Sequence, residues 1–435
     1  MPDRLRVIGR TAADIAGSVE GAIRRGELRA GDRLPPIRVL AAELEAGHVT
    51  VAAAYRRLRE RGLVIGAGRA GTRVAAQPPL PVGGVVSVPP GVRDLATGNP
   101  DPALLPDLPR IEPEQILYGA VPVDAELREQ AAAAFSADGI PTDHLAVVSG
   151  ALDGMERILA AELRPGDRVA VEDPTFARVL DLVAALGLRV EPVAIDQAGL
   201  RPDALRPALL AKMDALVVTP RAQNPSGAAI DEERAAALRA VLAGHPDLLV
   251  IEDDHAALVA GAPAHTLCAG RARWAVVRSF AKGLGPDLRV AAVAGDEATV
   301  ARVEGRQRLG IGWVSHSLQR TVAAMLAAPK TSARLANAER AYAERRTALV
   351  EALADRGIDS WGHSGLNVWV PVEEEAWVVT SMLAAGYAVA AGERFRLGSP
   401  AGVRVTTAAL HPDEAPALAE ALARAVKTRG RTFSA

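Results

Sequence analysis

Only four of the 50 lysine and arginine residues in this 435-residue chain are lysines, so chemistry that needs a lysine amine has few candidates. Lys282 lies three residues after Ser279, and Arg289 follows seven residues later. A hydroxyl, an amine and a guanidinium at this spacing suit a phosphorylated aldehyde, because the amine can form an imine while the other two groups bind the phosphate. Arginine stays protonated and could not replace lysine in that imine.

A second feature suited to an anion is the segment Gly150-Ala151-Leu152, which follows an apolar run at 145–148. At a strand-to-helix turn, its backbone N–H groups and the positive end of the helix would face the same phosphate. Three further polar motifs follow other apolar runs, at 172–176, 223–227 and 252–255.

The elements that must position these motifs are short apolar runs separated by alanine-rich helical stretches. The runs cover residues 145–148, 168–171, 215–218, 248–251, 274–277 and 290–293. Strands that alternate with helices predict an α/β fold with a mostly parallel sheet. Ligands bind at the carboxyl ends of the strands in such sheets, and the polar motifs fall at those ends. The sequence therefore predicts one ligand site built from several strand ends.

Five motifs in this order resemble those of the fold-type I aminotransferases, which use pyridoxal 5′-phosphate (PLP), over about residues 94–427. The resemblance implies an α/β/α domain with a large and a small subdomain. It also implies that Lys282 forms the imine with the cofactor and that Asp253 faces the pyridine nitrogen. A protonated ring nitrogen makes the cofactor an electron sink. The neighbouring Asp254 is the alternative candidate for this role.

The same resemblance assigns the other site residues. Asn224 would hydrogen-bond the phenolate oxygen of the cofactor, and Phe176 would stack on its ring. Tyr118 matches an aromatic residue that reaches the phosphate of the partner subunit, so the resemblance implies a homodimer. Arg404 matches the arginine that binds the substrate carboxylate as a bidentate pair.

His255 departs from the family pattern, which commonly has a tyrosine there as hydrogen-bond donor to the phenolate oxygen. Imidazole can donate the same bond, but it titrates near pH 6.5 rather than 10, so we expect pH-sensitive cofactor electronics. Asn367 stands where relatives often have a histidine, and both changes weaken the expectation of vigorous transamination. The acidic run 373–375 is interpreted as a solvated face.

The first 76 residues carry a net charge of +6, from fourteen arginines and eight acidic residues, whereas the rest of the chain carries −8. A basic head on an acidic body indicates nucleic acid as the partner of the head alone. Helical patterns over about 11–25, 34–46 and 49–61 precede two β-prone segments at 63–65 and 72–74. This order predicts a winged helix-turn-helix (α+β), with its third helix in the major groove of DNA.

The head resembles the DNA-binding domain of GntR-type bacterial repressors in its segments 33–38, 50–58 and 71–74. The resemblance implies that Arg33 and Arg38 contact phosphates or a base edge. It places Thr50 and Arg56 at the groove and Arg73 in the wing that reaches the phosphate backbone.

Residues 77–93 hold five prolines and three glycines, which predicts a semi-extended linker between the head (1–76) and the body (94–427). The single cysteine excludes an internal disulfide and a multi-thiolate zinc site, and no metal site is predicted. No apolar run approaches the roughly 18 residues that a membrane helix needs, so we expect a cytoplasmic protein without a membrane partner.

A GntR-type head joined to an aminotransferase-like body is the arrangement of MocR-type transcriptional regulators. The resemblance implies a homodimer that binds a double-stranded DNA operator and whose body binds PLP and senses either PLP or an amino compound. The alternative is an active PLP-dependent aminotransferase with a fused DNA-binding head. It stays open because Asn224, Asp253, Lys282 and Arg404 are all retained.

Overall fold

The computed structural model describes residues 7–24, 27–29, 31–60, 63–66, 71–75, 88–112 and 114–427. Residues 67–70, between the two β-prone segments of the head, lie outside the described residues, as does most of the predicted linker. The chain divides into two compact units.

Three helices and a hairpin form the head: α1 (Ala12–Arg24), α2 (Ile37–Glu43), α3 (His48–Glu60), β1 (Val64–Gly66) and β2 (Thr72–Val74). The two strands pair antiparallel. These are the predicted elements, except that α2 begins later and ends earlier than the predicted helix at 34–46. The later start has a local reason, because a residue that precedes a proline is disfavoured in helical conformation and two prolines stand directly before α2.

The core of the head lies between the three helices and the hairpin. Ile15 and Val19 of α1 and Val51 and Leu58 of α3 are fully buried, as their helical spacing requires. Tyr55 is also buried, and its hydroxyl donates a hydrogen bond of 2.7 Å to the carbonyl oxygen of Pro35. This bond joins α3 to the segment before α2, so the two helices keep one orientation.

The body contains thirteen strands among its described residues. They are β3 (Arg93–Asp94), β4 (Leu145–Val148), β5 (Arg168–Asp173), β6 (Arg189–Asp196), β7 (Gly199–Leu200), β8 (Ala215–Val218), β9 (Leu249–Asp254), β10 (Trp274–Ser279), β11 (Ala291–Gly295), β12 (Asn367–Pro371), β13 (Tyr387–Ala388), β14 (Ala390–Ala391) and β15 (Gly402–Thr406).

Eleven α-helices connect and cover these strands. They are α4 (Ala125–Ala137), α5 (Ala151–Glu162), α6 (Ala177–Ala185), α7 (Pro202–Leu210), α8 (Glu232–Leu242), α9 (Ala281–Leu284), α10 (Glu297–Leu309), α11 (His316–Ala327), α12 (Pro329–Ala354), α13 (Glu375–Ala384) and α14 (Ala415–Lys427).

The main sheet has eight strands in the order β4-β11-β10-β9-β8-β5-β6-β7. The four central strands, from β10 to β5, run parallel, which confirms the predicted mostly parallel sheet. Strand β11 is antiparallel to both of its neighbours. Each central strand is buried along nearly its whole length, in agreement with the continuous apolar runs of the sequence.

A smaller sheet, in the order β12-β15-β14, forms the second part of the body. It packs with α12, α13 and α14 around a separate apolar core. The short strand β3 pairs with β13, so the segment that follows residue 93 joins this second part. The body therefore has two separate apolar cores, one packed against each of these sheets.

Candidate functional site

The carboxyl ends of the parallel strands open into a cavity of about 510 Å³. Motifs from all five predicted strand ends reach it, although they are separated by up to about 140 residues in the chain. The lining residues are Thr97, Gly98, Asn99, Ala151, Leu152, Met155, Phe176, Arg178, Asn224, Asp253, His255, Ser279, Ala281, Lys282, Arg289 and Arg404.

Lys282 lies in the short helix α9, three residues beyond the end of β10. Its Nζ donates a hydrogen bond to the carbonyl oxygen of Gly98. Burial and the nearby charge of Arg404 lower the pKa of Lys282 to about 8. A larger fraction of the amine is therefore unprotonated near neutral pH than in an exposed lysine, and the unprotonated amine is the nucleophile that attacks an aldehyde.

The adjacent carboxylates Asp253 and Asp254 point in different directions, because successive side chains of a strand alternate between its faces. Asp253 lines the cavity, and its Oδ1 is buried without a hydrogen-bond partner among the described residues. Asp254 accepts hydrogen bonds of 2.7–2.9 Å from the buried guanidinium groups of Arg221 and Arg278. Asp253, and not Asp254, is therefore the carboxylate that a cavity ligand meets.

The protonation of the two carboxyl groups follows from the same arrangement. Burial and the charge of Asp254 raise the pKa of Asp253 to about 7. Despite its burial, Asp254 has a lowered pKa, because Arg221 and Arg278 stabilise its ionised form. A cation presented to the free Oδ1 of Asp253 would stabilise its ionised form in the same way.

His255 also lines the cavity, with its Nδ1 3.9 Å from Oδ2 of Asp253, which is beyond hydrogen-bond distance. Burial lowers the pKa of His255 to about 4, and the charge of Lys282 acts in the same direction. The expectation that this imidazole titrates near pH 6.5 is therefore wrong. His255 is neutral at physiological pH, and one of its ring nitrogens remains a hydrogen-bond donor.

The residues expected to bind an anion meet where α5 begins. Gly150 has a φ of +96°, and a Cβ at this position would lie 2.9 Å from Nη2 of Arg289. That guanidinium group donates a hydrogen bond of 3.3 Å to the carbonyl oxygen of Ser149. Ser279 is buried at the end of β10, and its Oγ accepts a hydrogen bond from the backbone N–H of Ala281. The hydroxyl proton of Ser279 can therefore point to a ligand.

Arg404 and Asn224 form the opposite wall. Nη1 of Arg404 donates a hydrogen bond of 3.0 Å to Oδ1 of Asn224, and Nη2 donates to the carbonyl oxygen of Ala96. The guanidinium group also stacks on Phe395 at 4.8 Å, while its buried Nε has no partner among the described residues. Burial lowers the pKa of Arg404 to about 10, so it is still cationic at neutral pH. Phe176 is half-buried on the cavity wall.

Tyr118 is the one predicted body residue that is remote from the cavity lining. Its side chain is 96% exposed, and its ring meets Trp313 edge to face at a centroid distance of 5.8 Å. Among the described residues, Tyr118 is therefore not part of the cavity lining.

Sequence reasoning missed the cavity residues Thr97, Gly98 and Asn99, because their segment lies beside no predicted strand end of the main sheet. A weak sequence signal was present, since Gly98 precedes an Asn-Pro pair typical of a turn, and in the structure Gly98 indeed has a φ of +74°. The interpretation of residues 373–375 as a solvated face is wrong for Glu375. This carboxylate is buried and accepts hydrogen bonds from Arg396, Glu393 and Gly402.

Glu172 is another buried acidic residue that sequence reasoning missed. Its carboxyl group accepts a hydrogen bond of 3.1 Å from Nε2 of Gln223. Burial raises its pKa to about 8, so in the native protein it holds a proton that the unfolded chain loses near pH 4.5. Stability contributed by the protonated form is therefore lost as pH rises from about 4.5 to about 8. We expect Glu172→Gln, which stays neutral, to raise the free energy of unfolding above pH 8 by roughly 3–5 kcal/mol.

Urea unfolding at a series of pH values measures this effect. All five tryptophans lie in the body, so their fluorescence reports its unfolding separately from that of the head. The gain should disappear below pH 4.5, and the exposed Glu129→Gln should show no gain at any pH. An equal gain at every pH would instead mean that glutamine simply packs better.

On the head, Arg33, Arg38 and Arg56 are exposed, and Thr50 is half-buried in the first turn of α3. Arg73 has a structural contact, because its Nη1 donates a hydrogen bond of 2.8 Å to the carbonyl oxygen of Gly31. This bond ties the hairpin to the turn that precedes α2. Three of the five predicted DNA-contacting residues are thus arginines whose side chains are exposed in the structure.

Comparisons with known proteins match both parts of the chain. Residues 11–74 match the family model of bacterial regulatory proteins of the gntR family, and residues 94–422 match that of class I and II aminotransferases. A Salmonella typhimurium protein, the vitamin B6 salvage pathway transcriptional repressor PtsJ, is 41% identical over 94% of this chain and 97% of its own. The pyridoxine biosynthesis transcriptional regulator PdxR of Corynebacterium glutamicum is 30% identical over 53% of each chain.

Solved structures agree on the fold of the body. Kynurenine aminotransferase from Pyrococcus horikoshii superimposes with a TM-score of 0.70 at 21% identity, over 79% of this chain and 91% of that one. Together, the winged head and this body define a DNA-binding transcriptional regulator built on an aminotransferase fold. The chain belongs to the MocR-type regulators of the gntR family.

Among the described residues, no helix is long and apolar enough to cross a bilayer. That part of the chain also contains no cluster of three or more His, Cys, Asp or Glu side chains that could hold a metal ion.

Proposed function

We propose that this regulator binds PLP in the body cavity and that occupancy of the cavity changes the affinity of the head for its operator. The observation that carries the proposal is the meeting of Lys282, Asp253 and Arg289 around one cavity. These residues offer an amine of lowered pKa, an unpaired carboxylate oxygen and a guanidinium at a helix start. PLP has an aldehyde, a basic ring nitrogen and a phosphate that suit these three groups.

The residues present fit this cofactor. When bound, PLP supplies an aldehyde for amines and a ring that withdraws electrons. Lys282 would supply the amine for the aldehyde, and the unpaired Oδ1 of Asp253 would accept a hydrogen bond from the protonated ring nitrogen. Ser279 and Arg289 would hold the phosphate together with the backbone of Gly150, Ala151 and Leu152.

The remaining lining residues orient the ring and a second ligand. Phe176 would cover the ring face, while Asn224 and the neutral His255 would donate hydrogen bonds to its phenolate oxygen. Arg404 binds the carboxylate of an amino compound, since carboxylate oxygens can replace the acceptors that its Nη atoms now use. The effector is either PLP itself or an amino compound that reacts with bound PLP.

We also propose a homodimer in which Tyr118 reaches the phosphate of the partner subunit. Support comes from exposed apolar side chains in two segments, residues 117–118 and residues 309–313. The two segments meet at the contact between the rings of Tyr118 and Trp313. Leu309 is 91% exposed in one segment and Leu117 is 75% exposed in the other. Exposed apolar patches of this kind mark protein interaction sites.

Leu309→Glu is therefore expected to shift the protein to monomers, because it places a charge in the apolar interface. Sedimentation equilibrium measures the change against the chain mass of 45.3 kDa. Leu210→Glu is the matched control, since Leu210 is 81% exposed but lies in α7, away from the two segments. A Leu309→Glu protein that remained a dimer would exclude this surface as the interface.

The relatives suggest which genes are controlled. PtsJ and PdxR are named for vitamin B6 salvage and pyridoxine biosynthesis, so we propose that this regulator acts on genes of vitamin B6 metabolism.

The head comprises residues 1–76, the linker 77–93 and the body 94–427. A regulator of this kind works in the cytoplasm, where the bacterial chromosome lies.

Operator binding with and without PLP tests the proposal. The probe is a labelled DNA fragment from the region upstream of the regulator's own gene, with unrelated DNA of equal length as control. Coupling between two sites typically changes affinity by about 5- to 150-fold, and we expect PLP to change the Kd of the operator within this range. Pyridoxine, which has no aldehyde, should have no such effect. PLP that binds but leaves the Kd unchanged would exclude PLP itself as the effector, and a Kd that also stayed unchanged when amino compounds were added to the PLP-loaded protein would refute the sensor function.

Transamination is a second candidate, because Asn224, Asp253, Lys282 and Arg404 surround the same cavity. Repeated conversion of an added keto acid in the presence of an amino acid would establish an enzyme. A single conversion per bound PLP fits a regulator whose ligand reacts once.

A further inference from the structure

Arg178 is a cavity residue with no role in the function proposed above. It is the second residue of α6, two positions after Phe176, and its exposed side chain lines the cavity. Among the described residues it has no hydrogen-bond or ion-pair partner. The first turn of α6 also contains no acidic residue. A cation at the positive end of a helix opposes the helix dipole, so local structure does not favour arginine at this position.

The charges around the cavity are unbalanced. Arg178, Lys282, Arg289 and Arg404 are its basic residues, and Asp253 is the only carboxylate among the lining residues. His255 does not add a charge at neutral pH, since its pKa is lowered to about 4. The surroundings therefore favour ligands with several negative charges.

PLP and the amino compound proposed above would pair with every charged side chain of the cavity lining except one. Lys282 joins the cofactor, Asp253 faces the ring nitrogen, Arg289 meets the phosphate and Arg404 meets one carboxylate. Among the described lining residues, Arg178 is then the cation left for a further acidic group. Its planar guanidinium suits a carboxylate, which it can bind through two parallel hydrogen bonds.

We propose that Arg178 binds a second carboxylate of the amino effector and that the effector class is an amino dicarboxylate. This inference rests on the proposed function, because it requires bound PLP and an amino compound held by Arg404. On this proposal, Arg178 determines which amino compounds the cavity prefers. A neutral ligand of equal size would leave Arg178 solvated and would gain nothing from it.

The test uses the full-length protein loaded with PLP. It is titrated with L-aspartate, L-glutamate and L-2-aminoadipate, and with the amides L-asparagine and L-glutamine, while visible absorption is followed. Hydrogen bonds to charged groups carry enough energy for about a 10- to 100-fold preference, which we expect for at least one diacid over its amide. Arg178→Ala should bring that ratio close to one, and Arg178→Lys should restore part of it.

Arg206→Ala is the matched control, because Arg206 is an exposed arginine of α7 outside the cavity, and its ratio should equal that of the unmodified protein. Equal affinities for acids and amides, or no spectral response to any of them, would overturn the inference while leaving PLP binding intact. Weaker PLP binding by Arg178→Ala would assign Arg178 to the phosphate and also overturn it. Failure of the unmodified protein to bind PLP would refute the proposed function itself.

Discussion

Lys282→Ala is expected to remove the visible absorption of the protein incubated with PLP. The band depends on a covalent bond between the aldehyde and a lysine amine, and Lys282 is the only lysine in the cavity lining. Its lowered pKa, caused mainly by burial, favours the reactive neutral amine. Absorption spectra after removal of free PLP measure the loss, which should be complete.

The control for this variant is Lys330→Ala. Lys330 is an exposed lysine that pairs with Asp107 at 2.9 Å on the surface, and such exposed pairs contribute little to stability. Its replacement should leave both the fold and the absorption band intact. Tryptophan fluorescence shows whether the body of each variant is folded. A folded Lys282→Ala protein with an unchanged band would exclude Lys282 as the cofactor lysine.

Arg38→Ala combined with Arg56→Ala is expected to weaken operator binding and to flatten its dependence on salt. Both side chains are exposed on the winged head, one in α2 and one in α3. Each phosphate contact contributes about 0.9 to the slope of log K against log salt concentration, because binding releases condensed counterions. Loss of two contacts should reduce that slope by about 2.

Fluorescence anisotropy at several salt concentrations between about 50 and 200 mM resolves such a change. Arg206→Ala combined with Arg340→Ala is the control, since it removes the same charge from exposed helical positions of the body. If the control flattened the slope equally, the effect would come from net charge and not from contacts. If the Arg38 and Arg56 variant bound with unaltered slope, these arginines would not contact phosphates.

The elements of the head and six strands of the main sheet (β4, β5, β8, β9, β10 and β11) were predictable because their signals are local, whereas β6, β7 and the strands of the smaller sheet were not predicted. Ile15 and Val19 recur at helical spacing, and strands such as β4 and β8 are short apolar runs flanked by polar turns. Lys282 and Asp253 were identified for the same reason, since each stands at a strand end beside a recognisable motif. Segment 97–99 lacks such a signal, because it reaches the cavity through contacts distant in the sequence.

Burial and side-chain direction were not predictable from the sequence in this way. His255 was expected to titrate near pH 6.5, yet burial lowers its pKa to about 4. Glu375 looked like part of a solvated acidic run, yet it accepts hydrogen bonds from the segment 393–402. In both residues the decisive neighbours come from other parts of the chain.

The sequence by itself determined the kinds of groups available to the cavity: one suitable lysine, a pair of adjacent carboxylates, arginines for anions and a basic head. Only the tertiary structure decided which groups face each other. Arg221 and Arg278, far apart in the chain, pair with Asp254 and leave Asp253 for the cavity. The physical reason is that chemical identity belongs to each residue, whereas desolvation and charge pairing depend on neighbours that the fold brings together.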